Sequence, residues 1–264
     1  MKVCHKCGPK VSGTTYKTGD YELFSKFYPK DTKAYHKRGE KVVLHNLRPN
    51  TSIFYFATNP KGWMDISISL RPEAYGPLKN SGVTKTDKNG TAVCYVKCPQ
   101  VYRNPENKTI YSRHFHFLYW GGESWERQLY TQQIFCDVSE EDVMKAISKG
   151  THIVVNALPA EEYKKKHIQG SISIPVDKAD EEYVEAQILK KFSEFPLIVD
   201  AFMKKKISFT EIPLIIYCYS PECNAAERLK ERLDSLGFYN TWHYSGGISQ
   251  WKGPTGTGGS VESA

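Results

Sequence analysis

Two patterns of apolar and polar positions divide the chain. Up to about Cys136, they alternate over short runs: Lys41–Leu44, Ser52–Ala57, Met64–Leu70, Thr91–Val96, Arg113–Trp120 and Leu129–Phe135. A period of two marks strands with one covered face. Turn-forming residues separate the runs: Arg48-Pro49-Asn50, Asn59-Pro60-Lys61-Gly62, Asp87-Lys88-Asn89-Gly90, Asn104-Pro105-Glu106-Asn107 and Gly121-Gly122. Helical periodicity is absent. Residues 14–137 are therefore expected to form an all-β antiparallel sandwich domain, with 1–13 a flexible N-terminus.

From Val138 the pattern becomes one of alternating helices and apolar strands. Ser139 is a good N-cap, with Asp142 where a capping box carries Glu or Gln, and Lys149-Gly150 closes that helix. Then follow Ile153–Ala157, Ala160–Lys166, Ser171–Ile174, Glu181–Phe192, Pro196–Lys205, Pro213–Cys218, Asn224–Leu236 and Thr241–Tyr244. Such alternation predicts an α/β domain over 138–253, a parallel sheet with helices on both faces. Residues 254–264, rich in Gly, Thr and Ser, are expected to be a disordered tail.

The second domain centres on Pro213–Leu236. Leu214-Ile215-Ile216-Tyr217 is too continuously apolar for a half-exposed strand and reads as one buried on both faces. A short polar loop, Cys218–Asn224, leads into a helix that places Ala225, Leu229, Leu233 and Leu236 on one face and Lys230, Glu231 and Asp234 on the other. Gly237 stops it. Cys218 thus stands at the carboxyl end of a parallel strand, where α/β sheets bind ligands. It also faces a helix N-terminus, whose outward N–H groups lower a thiol's pKa and hold an anion. A buried structural cysteine is the simpler alternative.

The 264 residues suit two domains of ordinary size. Apolar runs fall short of a membrane span, and MKVCHKCGPK carries no apolar leader. Seven cysteines, an odd number, then imply free thiols in a reducing, cytoplasmic setting. The net charge of +7 is uneven: Met1–Val138 holds 21 Lys and Arg against 11 Asp and Glu. A basic surface can draw an acidic partner, but a solvated surface accounts for it equally, and no nucleic-acid motif stands out.

Two further patterns bear on metals. Cys4-His5-Lys6-Cys7 is half a zinc site, and Cys94 and Cys98 form a looser pair. His114 and His116 fall on one face of a strand, with Cys98, His36 or His45 as candidate third ligands. If the Phe115, Phe117 and Tyr119 face is buried, the histidine face is exposed or lines a cleft. A plain strand is the simpler reading, and no metal or other cofactor is expected.

Four ordered segments resemble the rhodanese-like sulfurtransferase family. They are Asn156–Tyr163, His167-Ile168-Gln169-Gly170-Ser171-Ile172-Ser173-Ile174-Pro175, the Cys218 loop, and Gly237-Phe238-Tyr239-Asn240 followed by Tyr244–Trp251. The resemblance implies a sulfur carrier at Cys218, with Tyr219, Ser220, Pro221, Glu222 and Asn224 lining the substrate site and backbone amides from Tyr219 to Asn224 holding the outer sulfur. Cys223 then becomes a resolving thiol. Partners would be a small sulfur donor and a thiol acceptor, with the sandwich free to engage a protein and no membrane or clear nucleic-acid partner. Asn156 and Leu158 replace an Asp and an Arg frequent in the family, and the loop has no Arg. A doubly charged oxyanion is therefore a poor ligand, and a persulfide or polysulfide donor fits better. His243 and Arg228 are expected at the surface. Two alternatives stay open: a catalytically idle scaffold module, and a thiol-redox or metal-handling protein.

Overall fold

A computed structural model describes residues 2–3, 12–15, 24–36, 39–62, 65–106 and 108–258. The chain divides into two compact units. One contains 2–61 and 69–134; the other contains 62–68 and the chain from Phe135 onward.

The first unit is β-rich and largely antiparallel. Its main sheet runs in the order Ser12–Thr15, Gln128–Gln133, His114–Tyr119, Ser52–Ala57, Asn80–Lys85 and Tyr35–His36. Glu40–Leu44 pairs with Ala92–Val96 in a separate ladder. Strands therefore begin within the stretch expected to be flexible, at Lys2–Val3 and Ser12–Thr15. Asn80–Lys85 has no sequence signature, since Asn, Ser and Gly disfavour strands. Here Gly82 makes room for Tyr55: a Cβ would lie 2.2 Å from the tyrosine hydroxyl.

The Met64–Leu70 run is not one strand. Met64 lies outside the described residues, and only Ser69–Leu70 pairs, alongside Tyr102–Arg103. The Asp65 carboxylate instead accepts from the Ser67 amide at 3.1 Å and hydroxyl at 2.7 Å. This local turn competes with ladder formation. A one-turn helix, Arg71–Tyr75, also interrupts the all-β reading, with proline in its first turn where the missing N–H costs nothing.

The histidine face of His114–Tyr119 is not open. Phe115, Phe117 and Tyr119 are buried, but so are His114 and Leu118 on the other side. An aromatic cluster of Phe24, Phe54, Phe56, Tyr75, Tyr102 and Trp125 packs around Leu118.

In the second unit, Cys136–Asp137, Thr241–Tyr244, Leu214–Tyr217, Ile153–Asn156 and Ile172–Ser173 lie side by side, all parallel. Leu214–Tyr217 is central and wholly buried, as its apolar run implies. Helices Glu140–Lys149, Ala160–Lys165, Glu181–Phe192, Pro196–Met203 and Ala225–Ser235 connect them. Asp142 completes the capping box: its amide donates to Ser139 Oγ at 3.1 Å, and its carboxylate accepts from the Ser139 amide at 3.1 Å.

After Ala225–Ser235, Gly237 takes φ +87° and the chain closes a Schellman motif. Phe238 N–H donates to Leu233 O at 2.9 Å, and Gly237 N–H to Asp234 O at 3.1 Å. Lys230, expected on the polar face, is buried; its ammonium pairs with Asp234 and lies 5.6 Å from the Phe135 ring. A long alkyl stem lets lysine lie along apolar surface in this way. Thr255–Gly256, in the segment expected to be disordered, pairs with His167–Ile168. Backbone pairing asks nothing of side chains, so composition did not reveal it.

The expectation of free thiols throughout is corrected. Cys98 and Cys136 are disulfide-bonded, whereas Cys94, Cys218 and Cys223 are free. Sequence spacing cannot disclose pairings that depend on folded geometry. Disulfides persist mainly in oxidising settings, so the cytoplasmic expectation is not carried forward. Among the described residues, no helix is long and apolar enough to cross a membrane.

Candidate functional site

The loop after Leu214–Tyr217 holds two thiols. Cys218 is buried at its start; Cys223 is half-buried near its end, and Tyr219 between them is 57% exposed. Ser220 and Pro221 are half-buried, and Glu222 and Asn224 are exposed.

The closing segment fixes the start of this loop. The Asp137 carboxylate accepts from Ser245 through its amide at 2.8 Å and its hydroxyl at 2.5 Å. The chain then turns at Gly247 (φ +58°) into a short helix. There Ile248 N–H donates to Cys218 O at 2.9 Å and Ser249 N–H to Tyr219 O at 2.8 Å. Only glycine fits at 247, because a Cβ would lie 2.5 Å from Tyr219 O.

Below the loop, Tyr217 reaches across the sheet. Its hydroxyl accepts from the Ile168 amide at 2.9 Å and lies 3.0 Å from Ser171 Oγ. The "His-Ile-Gln-Gly-Ser" segment is thereby tied to the residue before Cys218. Asn156, at the position of the family's frequent Asp, is fully buried, and its Oδ1 accepts from the Leu158 amide at 2.8 Å. The substitution thus serves a local turn. His243 is buried against the Phe135 ring, contrary to the surface expectation, because alternate residues of a doubly covered strand are all internal. Arg228 is exposed as expected.

The loop's charge distribution differs between its thiols. Burial pushes Cys218 up to about 12, and its hydrogen bond with Cys223 pushes the same way, outweighing the Ala226 amide. Burial also pushes Cys223 upward, but the amides of Tyr219 and Ala225 and the Cys218 thiol together hold it below the ordinary value. Cys218 S–H is within reach of Ser220 O (3.8 Å) and Cys223 O (3.4 Å). The pair therefore favours a thiolate at Cys223 and a proton at Cys218. Not every loop amide is available to a ligand: Cys223 N–H donates to Ser220 O and Glu222 N–H to Ser220 Oγ. Sequence reasoning placed the amides along Tyr219–Asn224, whereas those supporting sulfur come from Tyr219, Ala225 and Ala226. The helix begins one residue later than expected, at Ala225.

The rhodanese-like domain model matches residues 139–254. This stretch is a rhodanese-like domain. The match covers the parallel sheet, the Cys218 loop and the Gly247 turn, and it leaves the β-rich unit unassigned. Solved structures similar to this chain include a Bacillus halodurans protein, at 29% identity over 46% of this chain and 77% of that one (TM-score 0.35). A rhodanese from E. coli determined with anions is 18% identical over 40% and 99% (TM-score 0.27). A human single-domain sulfurtransferase is 19% identical over 44% and 93% (TM-score 0.31). No curated protein matches the chain. The rhodanese-like assignment rests on the family match and the sheet order rather than on these superpositions.

The metal candidates fare differently. Cys4 and Cys7 lie outside the described residues, as does the His36 side chain. Cys98 is in a disulfide, and His45 Nδ1 lies 3.4 Å from Thr91 Oγ1. Among the described residues, no group of three or more His, Cys, Asp or Glu is placed to hold a metal. His114 and His116 do face one another, Nε2 to Nε2 at 3.2 Å. Their neighbours are tyrosines, a residue type the sequence reading did not weigh as a ligand.

Proposed function

We propose that the rhodanese-like domain is a sulfurtransferase that carries sulfane sulfur as a persulfide on Cys218. The observation that carries this reading is the coupled thiol pair at the mouth of a parallel sheet, with Cys218 as proton donor and Cys223 as the favoured thiolate. Cys223 then acts as the base that a buried, protonated Cys218 requires. Cys218 sulfur attacks the outer sulfur of a persulfide or polysulfide donor, its proton passes to Cys223, and the donor thiolate leaves. An acceptor thiolate next attacks the outer sulfur of the Cys218 persulfide. Cys218 leaves as a thiolate and recovers the proton from Cys223. The Ala226 amide supports the leaving thiolate. Tyr219, Ser220, Pro221, Glu222 and Asn224 form the rim that donor and acceptor meet. The β-rich unit serves as a ligand-binding module.

The same pair favours a second reading, in which Cys223 resolves the persulfide. Its thiolate attacks the inner Cys218 sulfur, hydrosulfide leaves, and a Cys218–Cys223 disulfide remains for an external thiol to reduce. Intact-mass measurement after polysulfide treatment separates the two. Transfer predicts a gain of one sulfur; resolution predicts release of sulfide and loss of two hydrogens. Cys223→Ser should slow sulfur uptake about 10²-fold at neutral pH, with recovery as pH rises. An unchanged rate rules out the base role.

A further inference from the structure

We propose that the β-rich unit binds a ferric ion through His114, His116, Tyr75 and Tyr102. The four side chains come from three places in the chain and bring their polar atoms together inside an otherwise aromatic core. His114 Nε2 lies 3.2 Å from His116 Nε2, 3.2 Å from Tyr75 Oη and 3.3 Å from Tyr102 Oη, and the two phenolic oxygens are 3.5 Å apart. Four ligands held tetrahedrally at about 2.0–2.1 Å from a metal stand about 3.3 Å from one another. The measured separations match that spacing.

The protons give the same answer. His114 Nδ1 is 2.6 Å from the Ser112 carbonyl, which only accepts, so Nδ1 carries the hydrogen and Nε2 a lone pair. That single lone pair faces two phenols and the second imidazole. His116 Nδ1 is 2.9 Å from Thr131 Oγ1. If it donates there, two imidazole lone pairs point at each other across 3.2 Å. A cation between them turns this repulsion into coordination. A ring nitrogen that donates to a carbonyl or hydroxyl while its partner nitrogen faces inward is also the arrangement that orients metal-ligating histidines.

The choice of metal follows from the donors. Two phenols and two imidazoles present hard oxygen with borderline nitrogen, and no thiolate takes part, which disfavours zinc and copper(I). Two phenolates leave a ferric site with one net positive charge. Binding therefore releases two phenolic protons per ion. Entry is short: His116 is only half-buried, and Tyr111, 37% exposed, stacks on Tyr102 at 5.1 Å between centroids.

The test uses the full chain, stripped with chelator and titrated with ferric nitrilotriacetate. The expected result is one iron per chain, two protons released, and a broad visible band from tyrosinate-to-iron charge transfer. Resonance Raman excitation in that band should show tyrosinate ring modes. Tyr75→Phe and Tyr102→Phe should each weaken and shift the band, and the double variant should abolish it. Thr131→Val, which removes only the support of His116, should weaken iron binding about 10–100-fold. Cys218→Ser should leave the band unchanged. Substoichiometric iron in the wild-type chain, a band without tyrosinate modes, or a band surviving in the double variant overturns the proposal. The wild-type Raman result decides even where a variant fails to fold.

Discussion

Gly247→Ala tests how the closing segment holds the loop. Gly247 sits at φ +58°, a region that costs an L residue roughly 1–2 kcal/mol. The new Cβ would also lie 2.5 Å from Tyr219 O and 2.7 Å from Cys218 O, both backbone atoms that cannot swing aside. Relief requires lengthening the Ile248 and Ser249 hydrogen bonds to those carbonyls, now 2.9 and 2.8 Å. Each contributes about 0.5–1.5 kcal/mol. The total loss is roughly 2–4 kcal/mol, and the displaced atoms are those that position Cys218. A shift approaching 1 Å at such a place costs about 10²-fold in rate. Gly237→Ala is the control: φ is +87°, but nothing lies within 4 Å of the added Cβ. It should lose about 1–2 kcal/mol and keep its rate. The assays are urea unfolding of each variant and the rate at which Cys218 gains sulfur from polysulfide, followed by mass spectrometry. If both variants lose the same stability and neither loses rate, the Gly247 contact does not hold the site.

Alkylation with iodoacetamide over a pH series should label Cys223 first. Its folded value lies below the ordinary thiol value, so its thiolate appears at lower pH, whereas Cys218, pushed up to about 12, stays protonated well beyond that point. Peptide mapping that finds Cys218 labelled first contradicts the assigned polarity of the pair. Tyr217→Phe removes the acceptor of the buried Ile168 amide and should cost about 1–3 kcal/mol in denaturant unfolding; a loss below 0.5 kcal/mol would mean that water replaces the hydroxyl. Ser139→Ala removes the capping box and should cost about 1 kcal/mol, with no change in sulfur uptake.

The α/β half was largely legible because its signals are local and mutually consistent. Leu214–Tyr217 announces a doubly covered strand, Glu181–Phe192 and Thr241–Tyr244 coincide with their expected bounds, and Gly237 marks a helix stop with its own geometry. The position of Cys218 follows from that order alone. The direction of proton sharing between Cys218 and Cys223 does not, because it depends on which of a few amides face which sulfur. The β-rich half was read less completely. Asn80–Lys85, a strand inside the main sheet, carries residues that disfavour strands, and its place is set by Gly82 yielding space to Tyr55. Met64–Leu70 alternates well, yet the Asp65 turn breaks it. His114 and His116 were visible as a pair, but their tyrosine neighbours lie 39 and 12 residues from His114 and belong to a helix and a strand without clear signatures.

The central claim is that Cys218 accepts sulfane sulfur. Intact-protein mass spectrometry after polysulfide treatment, on the wild type and on Cys218→Ser, tests it most directly. The account predicts a gain of one sulfur on the wild type, mapped to Cys218 and removed by an acceptor thiol, and no gain at that loop in the variant. Equal sulfur uptake by both proteins, or none by either, contradicts it.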